Sequence, residues 1–348
     1  MIEAAEGTGY QRSQFRQLVT MSEHVPDAEN MPFPLCKPDF VLVEVPPTSG
    51  FLTPAIDVGT VKWRQICGFI EVKTSLREGP NPGHRSSTPV RPIVSQCANY
   101  ARLILAARPF QLYVLCMFVY GSKFSLGWYD RRGVIVSDDY DIDNNLDIFI
   151  RVVLQLTTHM TSYQLGHDKT ARLLEGHSYY QDQYPSFTVS LGGDGNTTPM
   201  WKTYGGPIWS SLSLLGRGTA TWRAISLRDD EKVVLKTLWR SQTRQSESAV
   251  YSYIKPNSAG VAKLSVGDDV RYAVGKEKNA PVTVGLLRSF TLNDEGSVRD
   301  NPVLHRLAIK PVGRPLWNAQ TSEEFILGSL AALKGSASLS LAWLSTSY

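Results

Sequence analysis

Four cysteines in 348 residues, none in a Cys-x-x-Cys pair, give neither a zinc knuckle nor a disulfide framework. Cys36, Cys67, Cys97 and Cys116 are thus expected as free thiols in a reducing compartment. Long apolar runs are missing too: the longest, Leu112 to Val119, falls far short of the ~20 residues a membrane-spanning helix requires. The opening MIEAAEGTGY has no basic cluster and no apolar stretch, so no secretory signal is expected, no membrane is a partner, and cytoplasm or nucleus follows. Charge of one sign is scarce: 36 Lys and Arg against 32 Asp and Glu leave a net +4, which tolerates an anionic partner without demanding one. No basic stripe interleaved with aromatics stands out, so composition gives nucleic-acid binding no independent support. What is present, 42% hydrophobic and 20% charged residues, is ordinary for a globular chain, and this length exceeds what one core usually serves. Two domains are the expectation.

Composition divides the chain into a first domain over 10–170, a Gly-, Thr-, Tyr- and Pro-rich linker over 171–207, and a remainder that begins at 208. In the first domain, KPDFVLVEV (Lys37–Val45) is a β-branched run after a proline. WRQICGFIEVKTS (Trp63–Ser75) alternates, placing Ile66, Gly68, Ile70 and Val72 on one face and Cys67, Phe69, Glu71 and Lys73 on the other. VSQCANYARLILAAR reads as a helix stopped at Arg108 by Pro109, with Gln96 and Tyr100 one turn apart. Strands turned at Gly121 and at Asp130-Arg-Arg-Gly133 follow, then a helix over about 146–163 with Phe149, Val153, Leu156 and Met160 at helical spacing.

The order strand with Pro38-Asp39, strand with Glu71-Val-Lys73, helix with Gln96-x-x-x-Tyr100, strand resembles the core of the PD-(D/E)xK nucleases. On that resemblance Asp39 and Glu71 would hold Mg2+, Lys73 would orient water or neutralise developing charge, and Gln96 would support the site. Phosphodiester hydrolysis calls for those residue types, although Glu-x-Lys on a strand is also what a solvated ion pair looks like.

The next segment, LLGRGTATWRAISLRDDEKVVLK, has another chemistry. Gly216 and Gly218 let a backbone come close to phosphates, and Lys236 ends an apolar strand Lys232–Lys236 at the spacing of a lysine that contacts α and β phosphates. A helix expected over 241–255 carries Glu247 as the partner for Lys236. The third glycine of a Gly-x-Gly-x-x-Gly loop is replaced by Thr221.

At this point most of the chain resembles the fungal-type protein kinases, in which a nuclease-like region precedes a divergent kinase domain. The resemblance rests on Lys37-Pro-Asp39, Ile70-Glu-Val-Lys73, the Gln96 helix ending in Tyr100-Ala-Arg102, Tyr129-Asp-Arg-x-Gly133-Val, Leu165-Gly166-x-Asp168, Leu215-Gly-Arg-Gly-Thr219, Leu235-Lys236, Glu247, His305-Arg306-Leu, and Pro311 to Leu316. It implies an α+β/α/β two-domain fold: a nuclease-like mixed-sheet domain, then a kinase amino-terminal lobe of five antiparallel strands and one helix over 208–318, then an incomplete carboxy-terminal lobe over 319–348. It further implies ATP held by Gly216, Gly218, Thr219, Lys236 and Glu247 with Val312 and Gly313 in the hinge beside the base, Mg2+ as the accompanying ion, and a protein substrate or partner.

One departure is large. The strings His-Arg-Asp and Asp-Phe-Gly, which carry the catalytic and metal-binding carboxylates of kinases, do not occur. Beyond the hinge a helix is expected over 322–333, and KGSASLSLAWLSTSY then reads as an irregular Ser- and Leu-rich tail. The expectation is a kinase-like protein with an ATP-binding lobe, inactive in phosphotransfer or a fragment of a longer kinase. The alternatives are a Mg2+-dependent nuclease acting on nucleic acid through Asp39, Glu71 and Lys73, or a non-catalytic interaction scaffold.

Overall fold

A computed structural model describes residues 16–21, 24–29, 31–45, 56, 60–81, 90–192, 198–254, 258, 260–274, 277–288, 301–313 and 316–344. The chain divides into a first unit, Met1–Pro185 with Ser210–Gly218, and a second unit, Ser186–Trp209 with Thr219–Tyr348.

The first unit is built on a mixed sheet. Its strands are β1 (Arg16–Thr20), β2 (Phe40–Glu44), β3 (Ile66–Lys73), β4 (Val114–Tyr120), β5 (Lys123–Asp130), β6 (Gly133–Val136) and β7 (Tyr140–Asp141), in spatial order β1-β2-β3-β4-β5-β6 with β7 also on β5. Helix α1 (Pro92–Ala107) joins β3 to β4, a parallel pair, as a crossover must. Proline at its first position is preorganised for a helix start, and Pro109 keeps Arg108 out of helical geometry. Helix α1 covers one sheet face through Cys97, Tyr100, Ala101 and Ile104 against Phe69, Cys116 and Phe118. A second helix, α2 (Leu146–Leu154), covers the other, with Phe149, Val152 and Val153 against Ile70, Met117 and Phe124. Both faces of β3 and β4 are therefore dry up to Glu71 of β3, which explains their near-continuous apolar runs. Each fully buried phenylalanine there contributes about 1.5–3 kcal/mol.

Two local readings need correction. The pairing of β2 with β3 shifts register between Leu42 and Val43, which oppose Gly68 and Ile66. Cys67 is the extra residue of that bulge and packs with Leu42, Leu156 and Leu165 rather than beside Phe69. The helix expected to 163 ends at Leu154 and opens into a π turn over Gln155–His159. There Thr157 Oγ1 donates to Val153 O at 2.8 Å and Thr158 Oγ1 to Leu154 O at 2.7 Å, side-chain bonds that loosen the regular ladder.

The 171–207 segment is not a structureless linker. It holds β8 (Ala171–Leu173), β9 (Phe187–Ser190) and most of β10 (Met200–Ser210). The signal was the period-two burial of Phe187 and Val189, and of Trp201 and Thr203, beneath a Gly- and Pro-rich composition.

In the second unit the principal sheet runs β13-β16-β12-β11-β10-β9, where β11 is Ala220–Ser226, β12 Lys232–Arg240, β13 Lys263–Asp269 and β16 Val303–Lys310. Strands β9 and most of β10 come from before residue 208, outside the stretch over which the expected lobe was drawn. Strand β12 is antiparallel to β11 and β16, and β16 to β13. Trp222 and Leu235, opposite each other, are fully buried. A hairpin of β14 (Arg271–Val274) and β15 (Glu277–Pro281) and a short α4 (Val284–Leu287) lie between β13 and β16 in the chain.

Helix α3 is shorter than the 241–255 expected, Glu247–Tyr251, and residue 255 lies outside the described set. Ser246 caps it by accepting from Ala249 N at 3.1 Å, while Ser241 and Thr243 bond each other at 2.9 Å instead of entering the helix. Helix α5 (Ser322–Leu344) is longer than expected and takes in much of the presumed tail, whose alanines and leucines are strong helix formers. No helix among the described residues is long and apolar enough to cross a membrane.

Candidate functional site

Lys236 lies on β12 opposite Thr221 of β11 and Leu307 of β16. Its neighbours Leu235 and Thr237 are buried, so strand alternation turns Lys236 to the other face, where its side chain is 21% exposed. There its Nζ meets both carboxylate oxygens of Glu247, at 2.6 and 2.8 Å. Glu247 is the first residue of α3, where a carboxylate also favours the helix dipole. A lysine fixed in this way presents a single oriented positive charge at a half-open position.

Along the same face of the sheet stands a second polar group. His305 lies opposite both Leu238 and Asp269, and its Nδ1 is 2.8 Å from Asp269 Oδ1. Arg240 closes the group through Nε to Asp269 Oδ1 at 2.9 Å and Nη2 to Oδ2 at 2.5 Å. Burial alone would raise the Asp269 carboxyl; the hydrogen bonds from His305 and Arg240 outweigh it and hold the group well below the usual range. Three strands, β12, β13 and β16, are thereby fastened at one point. In the sequence His305-Arg306 is only a string; the Arg240–Asp269–His305 group needs strand register, which no local spacing reveals.

Thr219 immediately precedes β11, and Val312 and Gly313 follow the end of β16. Arg314 and Pro315, part of the expected hinge, lie outside the described residues.

Gly216 and Gly218 belong to the first unit. Their φ angles, +88° and +46°, are left-handed, so a side chain at either would strain the backbone. Arg131, from the turn after β5, donates through Nη1 to Ser213 O at 2.6 Å and Leu214 O at 3.3 Å. Gly216 N in turn donates to Arg131 O at 3.4 Å. A Cβ on Gly218 would stand 2.4 Å from the Arg131 guanidinium carbon, so the guanidinium would have to shift to admit one. In the sequence Arg131 stands within Tyr129-Asp-Arg-x-Gly133, where no local spacing reveals its contacts with the glycine turn.

The other constellation is entirely in the first unit. Asp39 Oδ2 accepts from Val72 N at 2.8 Å, and Glu71 Oε1 accepts from Lys73 Nζ at 2.7 Å. Glu71 is 2% exposed and its Oε2 has no hydrogen-bond partner. Burial raises the Glu71 carboxyl; Lys73 opposes the shift and the charge on Asp39 adds to it. Gln96 Nε2 donates to Tyr100 Oη at 2.7 Å, and Tyr100 meets Phe69 edge to face at 5.4 Å. Asp39, Glu71 and Lys73 are thus brought together, while the bond shown for Gln96 turns to its own helix. No group of three or more His, Cys, Asp or Glu suited to a metal ion occurs among the described residues.

A mixed α/β chain with several sheets, few helices and a strand lysine paired to a helical glutamate has the features of a kinase-like protein. The model of one family, described as Fungal protein kinase, matches residues 57–343, and the chain belongs to that family. No curated protein and no solved structure matches it.

Proposed function

We propose that this chain binds a nucleoside triphosphate, with the Lys236 ammonium on the α and β phosphates, Glu247 holding that lysine in place, and the backbone of Val312 and Gly313 facing the base. Thr219, which immediately precedes β11, is assigned to the phosphates by the family resemblance. The observation that carries this reading is the two-point contact between Lys236 and Glu247. An exposed lysine with no such partner loses side-chain entropy on binding; one already fixed loses less. Mg2+ would accompany the nucleotide and neutralise its phosphates. The 348 residues contain neither His-Arg-Asp nor Asp-Phe-Gly, so the reading assigns them nucleotide binding, not phosphoryl transfer. A protein partner follows from the family and is not specified further. Titration of wild type, Lys236→Met and Glu247→Gln with a fluorescent ATP analogue tests this. Saturable binding, lost or weakened about tenfold or more in both variants, is expected; equal binding in all three would overturn it.

A second reading gives the first unit a divalent ion. The free Glu71 Oε2 favours it, and two carboxylates with water suffice for Mg2+, though they are fewer than a dedicated cage would offer. Mg2+-dependent thermal stabilisation that disappears in Glu71→Gln is the expected result. Stabilisation that persists in the variant excludes this pair as the ligand set.

A further inference from the structure

The apolar side chains between α2 and the sheet of the first unit do not close into one core. Leu42, Cys67, Leu156 and Leu165 form one cluster, Ile70, Met117 and Phe124 another, and Val152 packs against both. Members of the two clusters line a cavity of about 360 Å3, bounded by Leu115 and Leu126 on the strands, Ile148, Val152 and Leu156 on the helix side, and Met160 just beyond the π turn. Ile148, Val152 and Leu156 are four residues apart and form a single stripe. Protein interiors keep few voids larger than a water molecule, and water in a space walled by aliphatic groups finds few hydrogen-bond partners. A space of this size is within the range that small organic ligands fill. It is also reachable, since Leu115, Leu126, Ile148, Val152 and Met160 are each partly exposed.

Arg151 and Gln155 bring polar ends to the same wall; both are exposed and one turn apart. Arg151 Nη2 donates to Asp147 Oδ2, an exposed pair of little strength. That contact engages Nη2, and Nε and Nη1 remain available to a second carboxylate. Gln155 also begins the π turn, and irregular turns of this kind recur at functional sites. A dry apolar cavity of about 150 Å3 holds benzene; in proportion this one holds roughly fourteen non-hydrogen atoms, the size of a carboxylate with a chain of about ten to twelve carbons.

We propose that the cavity under α2 binds a medium-chain aliphatic carboxylate, its chain against Leu115, Leu126, Val152 and Leu156 and its head on Arg151 and Gln155. Met160, unbranched and adaptable, fits its side chain to the end of the ligand. All of these residues belong to the first unit, so the site is independent of the nucleotide reading.

The experiment is a calorimetric titration of the full chain with decanoate and, separately, with decanol, for wild type, Val152→Phe and Arg151→Gln, with circular dichroism to confirm that each is folded. Wild type is expected to bind one decanoate per chain, and decanol about two- to fivefold more weakly, the scale of an exposed ion pair. Val152→Phe fills the space and should weaken both ligands by about tenfold or more, the worth of two displaced methylenes. Arg151→Gln should bring decanoate down to the level of decanol and leave decanol unchanged. Undiminished decanoate affinity in a folded Val152→Phe overturns the cavity, and equal decanoate affinity in Arg151→Gln overturns the carboxylate assignment. Uptake of several molecules per chain without saturation is surface adsorption and overturns the proposal. Should Val152→Phe not fold, methyl-labelled methionine in the wild-type chain decides. Decanoate should shift the Met160 resonance, identified with Met160→Leu, and leave that of Met200 in the second unit in place; an unmoved Met160 resonance overturns the site.

Discussion

Replacing Asp269 by Asn removes one negative charge from a point where three strands meet. The carboxylate is 15% exposed, Arg240 18% and His305 1%, so water replaces little of what is lost. Asparagine still accepts one hydrogen bond, but the bidentate Arg240 contact disappears and the Arg240 charge is left without its carboxylate. Stranding one partner of a fully buried pair costs about 3–5 kcal/mol. Partial exposure of Arg240 and the remaining amide bond reduce that to about 2–3 kcal/mol here, the scale of one or two charge-assisted bonds. The pH dependence has a definite sign. The Asp269 carboxyl lies below its ordinary value of 3.8 in the folded chain, so its contribution is complete above that pH and is lost as pH falls further toward the folded value. The deficit of Asp269→Asn should therefore be constant from pH 7 to pH 5 and shrink below 3.8. Urea unfolding over that pH range, with hydrogen exchange in peptides 232–240, 263–269 and 303–310, measures it. A deficit under about 0.5 kcal/mol at pH 7, or one that does not diminish in acid, would refute the reasoning.

Arg108→Met should destabilise the first unit by about 2–4 kcal/mol in urea unfolding, since it takes from Glu44 the guanidinium 3.1 Å from its Oε2, leaving it Ser162 Oγ at 3.1 Å and the Arg16 charge, and abandons Tyr179, over whose ring the guanidinium lies at 4.0 Å; a change under 1 kcal/mol would contradict the assignment. Glu71→Gln should stabilise the metal-free chain at pH 7. Because burial raises the Glu71 carboxyl, the wild type gives up stability as pH climbs through the folded value, and the glutamine variant, which does not titrate, gives up none. Its advantage should vanish as pH falls below 4.5, and a variant less stable than wild type at pH 7 would count against that origin. Gly127→Ala should cost about 1–3 kcal/mol by thermal unfolding, because its Cβ would stand 2.6 Å from Cys116 Sγ and 2.7 Å from a Phe118 ring carbon; an unchanged midpoint would show that β4 and β5 yield there.

The first unit was legible wherever local period and chain-breaking residues decide the outcome. The strand that carries Glu71 and Lys73, the helix stopped before Pro109 and the hairpin at Gly121 are all written in a few residues each. The Cys67 bulge was not, because period two alone gives no warning that one residue is out of step with the facing strand. Helix α3 was overestimated since apolar spacing from Val250 onward suggested a longer stripe, whereas the run of Ser and Thr before it prefers side-chain bonds. Strands β9 and β10 were hidden by glycines and prolines whose average outweighed the buried Phe187, Val189 and Trp201 between them. For the candidate site, Lys236 and Glu247 could be paired from spacing; Arg131 against Gly218, and Asp269 against His305, join residues far apart in sequence and exist only once strands have been registered.

The central claim is that nucleotide is held through Lys236, fixed in place by Glu247. Hydrogen exchange on the full chain, with and without ATP and Mg2+, tests it most directly. Slower exchange in peptides 232–240 and 245–254 on adding nucleotide, absent in Lys236→Met, is the predicted result. Unchanged exchange in both segments at saturating ATP, or protection that the Lys236→Met chain shows equally, would contradict it.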